Sequence, residues 1–186
     1  MSDKYKIYEQ DKAYFITMSI VGWIDVFTRL NQKQVIIDSL SYCQKNKGLV
    51  VYAYCLMPSH LHAIVQAGDG FKLTDILRDL KKFTSKKITE LAMAEPESRR
   101  EWMMCEFEKA GGHLKGKQRH KVWQDGNHAE VIFTNKFLRQ KLDYIHNNPV
   151  KDMTVDEPWH YWFSSARNYA GLEFLLPVEL ITIEAE

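Results

Sequence analysis

The sequence predicts an α+β fold of the ferredoxin-like, split βαβ type, with a central antiparallel sheet and helices mainly on one face. Three observations support this prediction: a β-branched and aromatic segment near the N-terminus, a pair of strand-like segments joined by a short turn, and helix-periodic segments between and after them. Along the chain these segments follow the order β-α-β-β-α-β-α, which is typical of the split βαβ arrangement.

The first strand and the first helix are predicted from residue type and spacing. Residues 14–21 (YFITMSIV) are β-branched and aromatic, which favours a strand. Residues 31–46 place apolar side chains three and four positions apart, which favours a helix with one apolar side. Asn31 is a candidate N-cap and Gly48 a candidate stop signal, so we expect the helix to lie between them.

The next segments predict a hairpin followed by a long helix. Residues 49–57 (LVVYAYCLM) and 60–66 (HLHAIVQ) are strand-like, and Pro58 and Ser59 lie between them at the position of a turn. Residues 71–93 then repeat apolar side chains at helical spacing. This stripe predicts an amphipathic helix.

The second half of the sequence predicts a further strand region and a last helix. Residues 95–121 are charged and contain glycines, so we expect an inserted loop with a short helix inside it. Residues 122–133 predict a strand on each side of an Asp-Gly turn signal. Thr134 or Asn135 can cap the last helix, and Pro149 is expected to end it.

Composition and charge describe a folded domain with a basic body. Hydrophobic residues make up 45% and charged residues 26%, which excludes disorder of the whole chain. We expect one domain over 1–170, interrupted by the inserted loop, and an acidic tail at 171–186. Residues 152–186 contain seven acids and one Arg, so with an overall charge of +1 the preceding residues carry +7. This balance favours an anionic partner for the body, although a solvated basic surface explains it equally well.

The same sequence shows no sign of a membrane or secreted protein. No apolar run reaches the length of about 18 residues that a membrane span needs. The first fifteen residues lack the apolar stretch of a signal peptide. We therefore expect a cytoplasmic protein without a membrane partner.

Two histidines on the third predicted strand form the first candidate for a chemical site. Because side chains alternate along a strand, His60 and His62 project from one face while Leu61 projects from the other. Two imidazoles on one face can converge on a metal ion. On their own, however, two surface or hydrogen-bonded histidines are the commoner explanation of this pattern.

The last predicted helix carries the second candidate. Tyr144 and Asn148 are four residues apart and therefore share a helix face. Such a polar pair is usually a solvated surface, but it also supplies a phenol nucleophile beside an amide oxygen that can bind a metal. Together with His60 and His62, these residues predict one site in which a divalent ion holds a phosphodiester and Tyr144 attacks phosphorus. No general base is evident from the sequence.

Two segments resemble a known family. AYCLMPSHLHAIVQ (53–66) and KLDYIHNNPV (141–150) are similar to segments of the single-tyrosine HUH transposases of the IS200/IS605 type, and especially of the REP-associated tyrosine transposases. Four further segments are similar and lie in the same order: 14–29, 79–88, 122–132 and 162–169. The resemblance therefore covers most of residues 14–170.

This resemblance implies an α+β fold, a divalent metal (Mg²⁺ or Mn²⁺), and the cutting and rejoining of single-stranded DNA at hairpin or palindromic repeats through a 5′-phosphotyrosine. It assigns the metal-binding histidines to His60 and His62 and the nucleophile to Tyr144. It assigns the third ligand to Asn148, where many insertion-sequence relatives have Gln; the shorter Asn requires a closer helix or makes a looser ligand. It also implies a bacterial, nucleoid-associated protein that acts as a monomer or a homodimer.

Two alternatives to this function stay open. A domesticated relative would bind hairpin DNA without productive cleavage. A metal phosphodiesterase would use water in place of Tyr144 and form no covalent adduct. The presence of both histidines, the tyrosine and the amide together favours the strand-transfer enzyme over the binding protein, because decay of function would be expected to remove one of them.

Basic residues outside this site are candidates for DNA binding. Those on the predicted helix at 71–93 are spaced by four and form a stripe: Arg78, Lys82 and Lys86. Arg119 and Lys121 precede the next strand and can also neutralise phosphates. Trp123 beside them is a candidate for stacking an unpaired base, although a core position explains this residue equally well.

Overall fold

The computed structural model describes residues 6–94, 97–112 and 120–181 of the chain. The main helices and strands follow one another in this order: β1 (Tyr14–Ser19), α1 (Leu30–Lys47), β2 (Leu49–Met57), β3 (His60–Ala67), α2 (Leu73–Ala94), α3 (Arg100–Gly111), β4 (Glu130–Val131), α4 (Asn135–Lys151) and α5 (Ala166–Tyr169). Short 3-10 turns occupy Val21–Trp23, Val26–Thr28 and Pro158–His160. Within the described part of the chain, every helix is too short or too polar to cross a membrane.

The four strands form one antiparallel sheet in the order β2-β3-β1-β4, which confirms the predicted α+β, ferredoxin-like fold. β3 lies between β1 and β2, as the split βαβ unit requires. The register sets Thr17 opposite His62 and Ser19 opposite His60 across β1 and β3. Residues opposite each other share a face of the sheet, so β1 contributes directly to the surface around both histidines.

Helices cover both faces of this sheet. Leu61 and Ala63 are fully buried on one face, where α1 and α2 pack against each other and against the strands. α4 lies against the opposite face, because its Tyr144 contacts His62 and Phe15 there. The expectation of helices mainly on one face holds for α1 and α2, while α4 covers part of the face that carries the histidines.

Cap residues decide where the helices begin and end. Gly48 ends α1 with a φ of 64°, in the left-handed region that favours glycine, as predicted. The Thr134 side chain caps α4 by accepting a hydrogen bond of 3.1 Å from the backbone N–H of Phe137. Asn31 is not an N-cap as predicted, since α1 already begins at Leu30.

Two further local predictions were wrong. The expected pair of strands around the Asp-Gly turn is reduced to one isolated bridge, between Trp123 and Ile20, and to the two-residue strand β4. α4 does not end at Pro149 but continues to Lys151. A proline lacks the backbone N–H and so removes one helical hydrogen bond. α4 tolerates this loss at Pro149, which is buried in its last turn.

The segment after α4 returns along the outer edge of β2. The backbone N–H of Leu56 donates to the carbonyl of Phe163, and the N–H of Ser165 donates to the carbonyl of Tyr54, both at 2.9 Å. The Tyr161 hydroxyl adds a hydrogen bond of 2.8 Å to the Leu56 carbonyl. These bonds cover an edge that would otherwise leave backbone groups unpaired, so residues 161–165 stabilise the sheet at this edge.

Candidate active site

β3 places two imidazoles side by side on the sheet face that α4 covers. His60 and His62 project to this face, and the Leu61 side chain between them is completely buried on the other. The centroids of the two imidazole rings are 4.6 Å apart. The alternation of a regular strand thus brings together the two histidines that the sequence pattern singled out.

A hydroxyl group engages one ring nitrogen of each histidine. Thr17 Oγ1 lies 2.8 Å from His62 Nδ1, and Ser59 Oγ lies 3.1 Å from His60 Nδ1. When Nδ1 carries the proton and donates it to the hydroxyl oxygen, the lone pair lies on Nε2. In both rings Nε2 can then bind a metal ion or accept a proton.

Burial keeps both rings neutral. It lowers the pKa of His60 below its ordinary value, an effect that the nearby Asp152 carboxylate opposes. Burial, with the Lys141 ammonium and the repulsion that a protonated His60 would exert adding to it, lowers the pKa of His62 from 6.5 to about 3. Neutral imidazole is the form that binds metal ions, so both side chains are in the metal-binding state at neutral pH.

α4 brings a tyrosine to the same place. Tyr144 Oη lies 3.4 Å from His62 Nε2, and the two ring centroids are 5.0 Å apart. The Tyr144 ring also meets Phe15 edge-on, and it remains 38% exposed. Lys151, seven residues further along α4, holds its ammonium 5.7 Å from the centroid of the Tyr144 ring. We call His60, His62 and Tyr144 the His–Tyr cluster.

The predicted third metal ligand, Asn148, forms no hydrogen bond to either histidine in the described part of the chain. Asn148 lies one turn after Tyr144 on α4 and is half-buried, and its side chain forms no hydrogen bond to another described residue. No group of three His, Cys, Asp or Glu residues within the described ranges could hold a metal ion. The chain therefore offers two neutral imidazoles and one amide oxygen. This donor set fits a divalent ion that takes its remaining ligands from water and phosphate oxygens.

His146 has a structural role on another side of α4. Its Nε2 lies 2.8 Å from Ser165 Oγ, and its ring packs against Tyr169 with centroids 5.0 Å apart. Ser165 in turn hydrogen bonds to the backbone of Tyr54 on β2. His146 thus connects α4 to the segment around Ser165 and to the sheet, and so helps to hold Tyr144 over the histidines.

His146 should make the fold sensitive to acid. Burial lowers its pKa from 6.5 to about 4, so its contribution to stability is complete above pH 6.5 and is lost as the pH falls towards 4. We expect urea denaturation to show about 2–3 kcal/mol less stability from this residue at pH 4.5 than at pH 7. His146→Gln, which keeps a hydrogen-bonding group, should reduce that difference; an identical pH dependence in both proteins would contradict the assignment.

The predicted DNA-binding stripe lies on the exposed side of α2. Arg78 is already engaged by the carboxylates of Asp75 and Asp79, at 2.6 Å and 3.2 Å. Lys82 is exposed, and Lys86 lies 3.7 Å from Glu90. Arg78 and Lys82 line a shallow groove together with further residues of α2 and of the loop before β4: Thr74, Lys81, Ser85, Lys121 and 123–127. Two residues of the stripe, Arg78 and Lys82, thus border one basic groove with Lys121, which is paired with Asp125, whereas Lys86 does not line it.

Trp123 is corrected to a core residue. It is only 3% exposed, packs against Phe27, and donates its indole N–H to Thr84 Oγ1 at 2.9 Å. A ring buried in this way cannot stack on a base without leaving the core. Arg119, the other candidate in this region, lies outside the described residues.

Several residues around the His–Tyr cluster were missed by the sequence analysis. Thr17 could have been found only from the register of β1 against β3, because nothing in its own neighbourhood marks it. Lys151 lies seven positions after Tyr144, a helical spacing that pattern reasoning could have used. Trp23 lies with its ring centroid 5.6 Å from that of His60, in a turn that the sequence did not predict.

Comparisons with known proteins agree with this architecture. The family model described as "Transposase IS200 like" matches residues 24–107, a segment that includes both histidines and ends before α4. A solved structure of a REP-associated tyrosine transposase bound to a REP hairpin is similar over 100% of this chain and 96% of its own, with a TM-score of 0.66 and 21% identity. That likeness concerns the fold.

A second solved structure, of a candidate transposase from Deinococcus radiodurans R1, covers 78% of this chain and 97% of its own, with a TM-score of 0.42 and 17% identity. No curated protein matches the chain. Over residues 24–107 the sequence of this chain is similar to that of IS200-like transposases, and its fold is similar to that of a REP-associated tyrosine transposase.

Proposed function

We propose that the protein cuts and rejoins single-stranded DNA at hairpin repeats, with Tyr144 as the nucleophile and a divalent metal held by His60 and His62. The observation that carries this proposal is the contact of 3.4 Å between Tyr144 Oη and His62 Nε2, which joins residues 82 positions apart in the sequence. A nucleophile must lie within reach of the groups that bind its target, and this contact provides that proximity.

The histidines are poor bases for the tyrosine proton. Burial lowers the pKa of His62 to about 3, so this ring takes up a proton only weakly. His62 is therefore better suited to bind a metal through Nε2 than to act as a general base. The Lys151 ammonium, which lies over the tyrosine ring, would favour a developing phenolate.

A bound divalent ion would supply Lewis-acid polarisation of the phosphodiester. Nε2 of His60 and of His62 would hold the ion, and the Asn148 amide oxygen is the third candidate ligand. Mn²⁺ accepts imidazole nitrogen more readily than Mg²⁺, which prefers oxygen, so we expect stronger activity with Mn²⁺.

The proposed strand-transfer step balances without a further reactant. Tyr144 Oη forms a bond to phosphorus, the bond from phosphorus to the 3′ oxygen breaks, and the phenol proton is passed through solvent to the departing 3′ oxygen. The products are a 5′-phosphotyrosine and a free 3′-hydroxyl. Attack of a 3′-hydroxyl on the phosphotyrosine reverses the step and rejoins DNA, so no external energy source is needed.

The partner is inferred from charge and from the related structure. Basic residues of α2 and Lys121 border a groove, which suits a phosphate backbone. The transposase of similar fold was solved with a REP hairpin bound. We therefore propose hairpin DNA with a single-stranded flank as the substrate, met at the bacterial chromosome, and a monomer or a homodimer as the active form.

The test combines binding and cleavage. The protein is incubated with Mn²⁺ and a labelled oligonucleotide that forms a hairpin with single-stranded flanks, and the products are separated on a denaturing gel. We expect a covalent DNA–protein adduct, and we expect the single-stranded form to be preferred over intact duplex. Cleavage without an adduct would indicate a phosphodiesterase that uses water, and binding without cleavage would indicate a DNA-binding module.

Thr17 provides a prediction on metal affinity. Thr17→Val keeps the shape of the side chain but removes the hydroxyl that holds His62 Nδ1. Loss of such an outer partner typically weakens metal binding about 10–100-fold, because the imidazole is then free to rotate or change tautomer. We expect this loss in an electron paramagnetic resonance titration with Mn²⁺. Thr17→Ser should restore the affinity; equal affinities in all three proteins would contradict the role.

A further inference from the structure

An exposed tryptophan stands at the margin of the His–Tyr cluster. Trp23 is 59% exposed, and the centroid of its ring lies 5.6 Å from that of His60 with an interplanar angle of 75°. In this edge-to-face contact with His60, more than half of the Trp23 surface remains open to solvent. A large aromatic surface is thus available to a ligand directly beside a candidate metal ligand.

The turn that carries this tryptophan is firmly held. Ile20 and Ile24 on either side are buried. The N–H of Ile20 donates to the carbonyl of Ser59, and that of Trp23 donates to the carbonyl of Ile20, at 2.9 Å and 3.1 Å. Ser59 is the residue next to His60, so the position of the indole is tied to that of the histidine. A ring held in place before binding loses little conformational freedom when a ligand stacks on it.

The backbone of the turn is unusual for a bulky residue. Trp23 has a φ of 55° and follows Gly22, which has a φ of 62°. Bulky side chains rarely adopt this region, and glycine would adopt it at no steric cost. The turn itself therefore does not call for a tryptophan. An exposed, bulky side chain at an unfavourable φ beside the His–Tyr cluster therefore indicates a functional role for Trp23.

We propose that Trp23 is a stacking platform for the unpaired nucleobase next to the phosphate held at the His–Tyr cluster. This inference rests on the proposed function and names the part of the DNA that the site recognises. Stacking on an aromatic ring accepts any base, because every base has a π-face. A base stacked on the exposed face of the indole would belong to a nucleotide adjacent to the phosphate that lies at His60.

The experiment measures binding of the fluorescent hairpin oligonucleotide with its single-stranded flank, by anisotropy. Trp23→Ala should weaken binding about tenfold, which is the effect expected for the loss of one stacked base. Trp23→Phe, which keeps an aromatic face, should retain most of the affinity. The matched control is Trp102→Ala on α3, since Trp102 is 52% exposed and has no ring contact to His60. Its binding should equal that of the unchanged protein.

A second series locates the stacked base. Abasic sites are placed one at a time in the flank, and one position should cost the unchanged protein about tenfold in affinity. In Trp23→Ala the same abasic site should cost nothing more, since the stacking partner is already gone. Trp23→Gly, which removes the ring and suits the positive φ, should reproduce the binding defect while keeping the protein folded.

The outcomes separate the two proposals. If the unchanged protein binds and cleaves the oligonucleotide but Trp23→Ala and Trp23→Gly do so equally well, the stacking role is overturned and the proposed function stands. A second outcome is that the tryptophan variants lose affinity but every abasic site lowers the affinity of Trp23→Ala as much as that of the unchanged protein. The ring then acts on folding and not on a base, and the inference is likewise wrong. If the unchanged protein neither binds nor cleaves the hairpin, both proposals fail.

Discussion

Tyr144→Phe is expected to abolish the covalent adduct and to lower cleavage at least about a thousandfold, because it removes the atom that would attack phosphorus in the proposed reaction. The change deletes a single oxygen. The ring can keep its contacts with His62 and Phe15, so the fold should be preserved. DNA binding should change little, since phosphate contacts supply most of the affinity. The denaturing gel and an anisotropy titration on the same protein measure both quantities.

The control for this variant is Tyr42→Phe. Tyr42 is 57% exposed on α1, and its loss of a hydroxyl should leave both cleavage and binding unchanged. Cleavage that persists in Tyr144→Phe without an adduct would show that water is the nucleophile. An adduct that persists would place the nucleophile elsewhere in the chain and would remove the basis of the proposed function.

His62→Ala should have the second largest effect. It removes one of the two imidazoles that would hold the metal, together with the ring that Tyr144 contacts. We expect loss of Mn²⁺ binding and of cleavage, again about a thousandfold or more, as is typical when one member of a group that acts as a unit is deleted. His60→Ala should behave in the same way. Hairpin binding should be weakened only modestly.

The readouts distinguish a chemical from a structural role. Circular dichroism tests whether the variants fold, and Mn²⁺ titration reports on the site without the need for activity. His160→Ala serves as the control, since His160 is exposed in the turn after α4. If binding and cleavage fall by the same factor in His62→Ala, the histidines hold DNA or the fold, and a purely catalytic role is excluded.

Much of the fold could be predicted because it is encoded in local patterns. β2 spans Leu49–Met57, which are the predicted residues, and Gly48 ends α1 as expected. These elements combine strong apolar character with clear stop signals. The errors occurred where tertiary contacts outweigh local preference, as at Pro149, whose ring is buried in the last turn of α4.

The candidate site was predictable in part, for a related reason. Alternation along β3 requires His60 and His62 to share a face, and helical spacing requires Tyr144 and Asn148 to do so. Neither rule says that the two pairs meet. Trp123 shows the limit of reasoning from residue type, because a tryptophan beside basic residues is equally suited to a core and to a DNA surface, and only its burial decides.

From the sequence alone followed the element order, the antiparallel hairpin and the pairing of polar side chains on one strand and on one helix. These are short-range properties, set by backbone geometry within a few residues. The tertiary structure alone decided that α4 crosses the sheet face with the histidines and that Thr17 contacts His62. It also decided that Trp23 rather than Trp123 is open to solvent, and that the segment after α4 covers the edge of β2. Each depends on contacts between residues far apart in the chain, and those are determined by how the whole core packs.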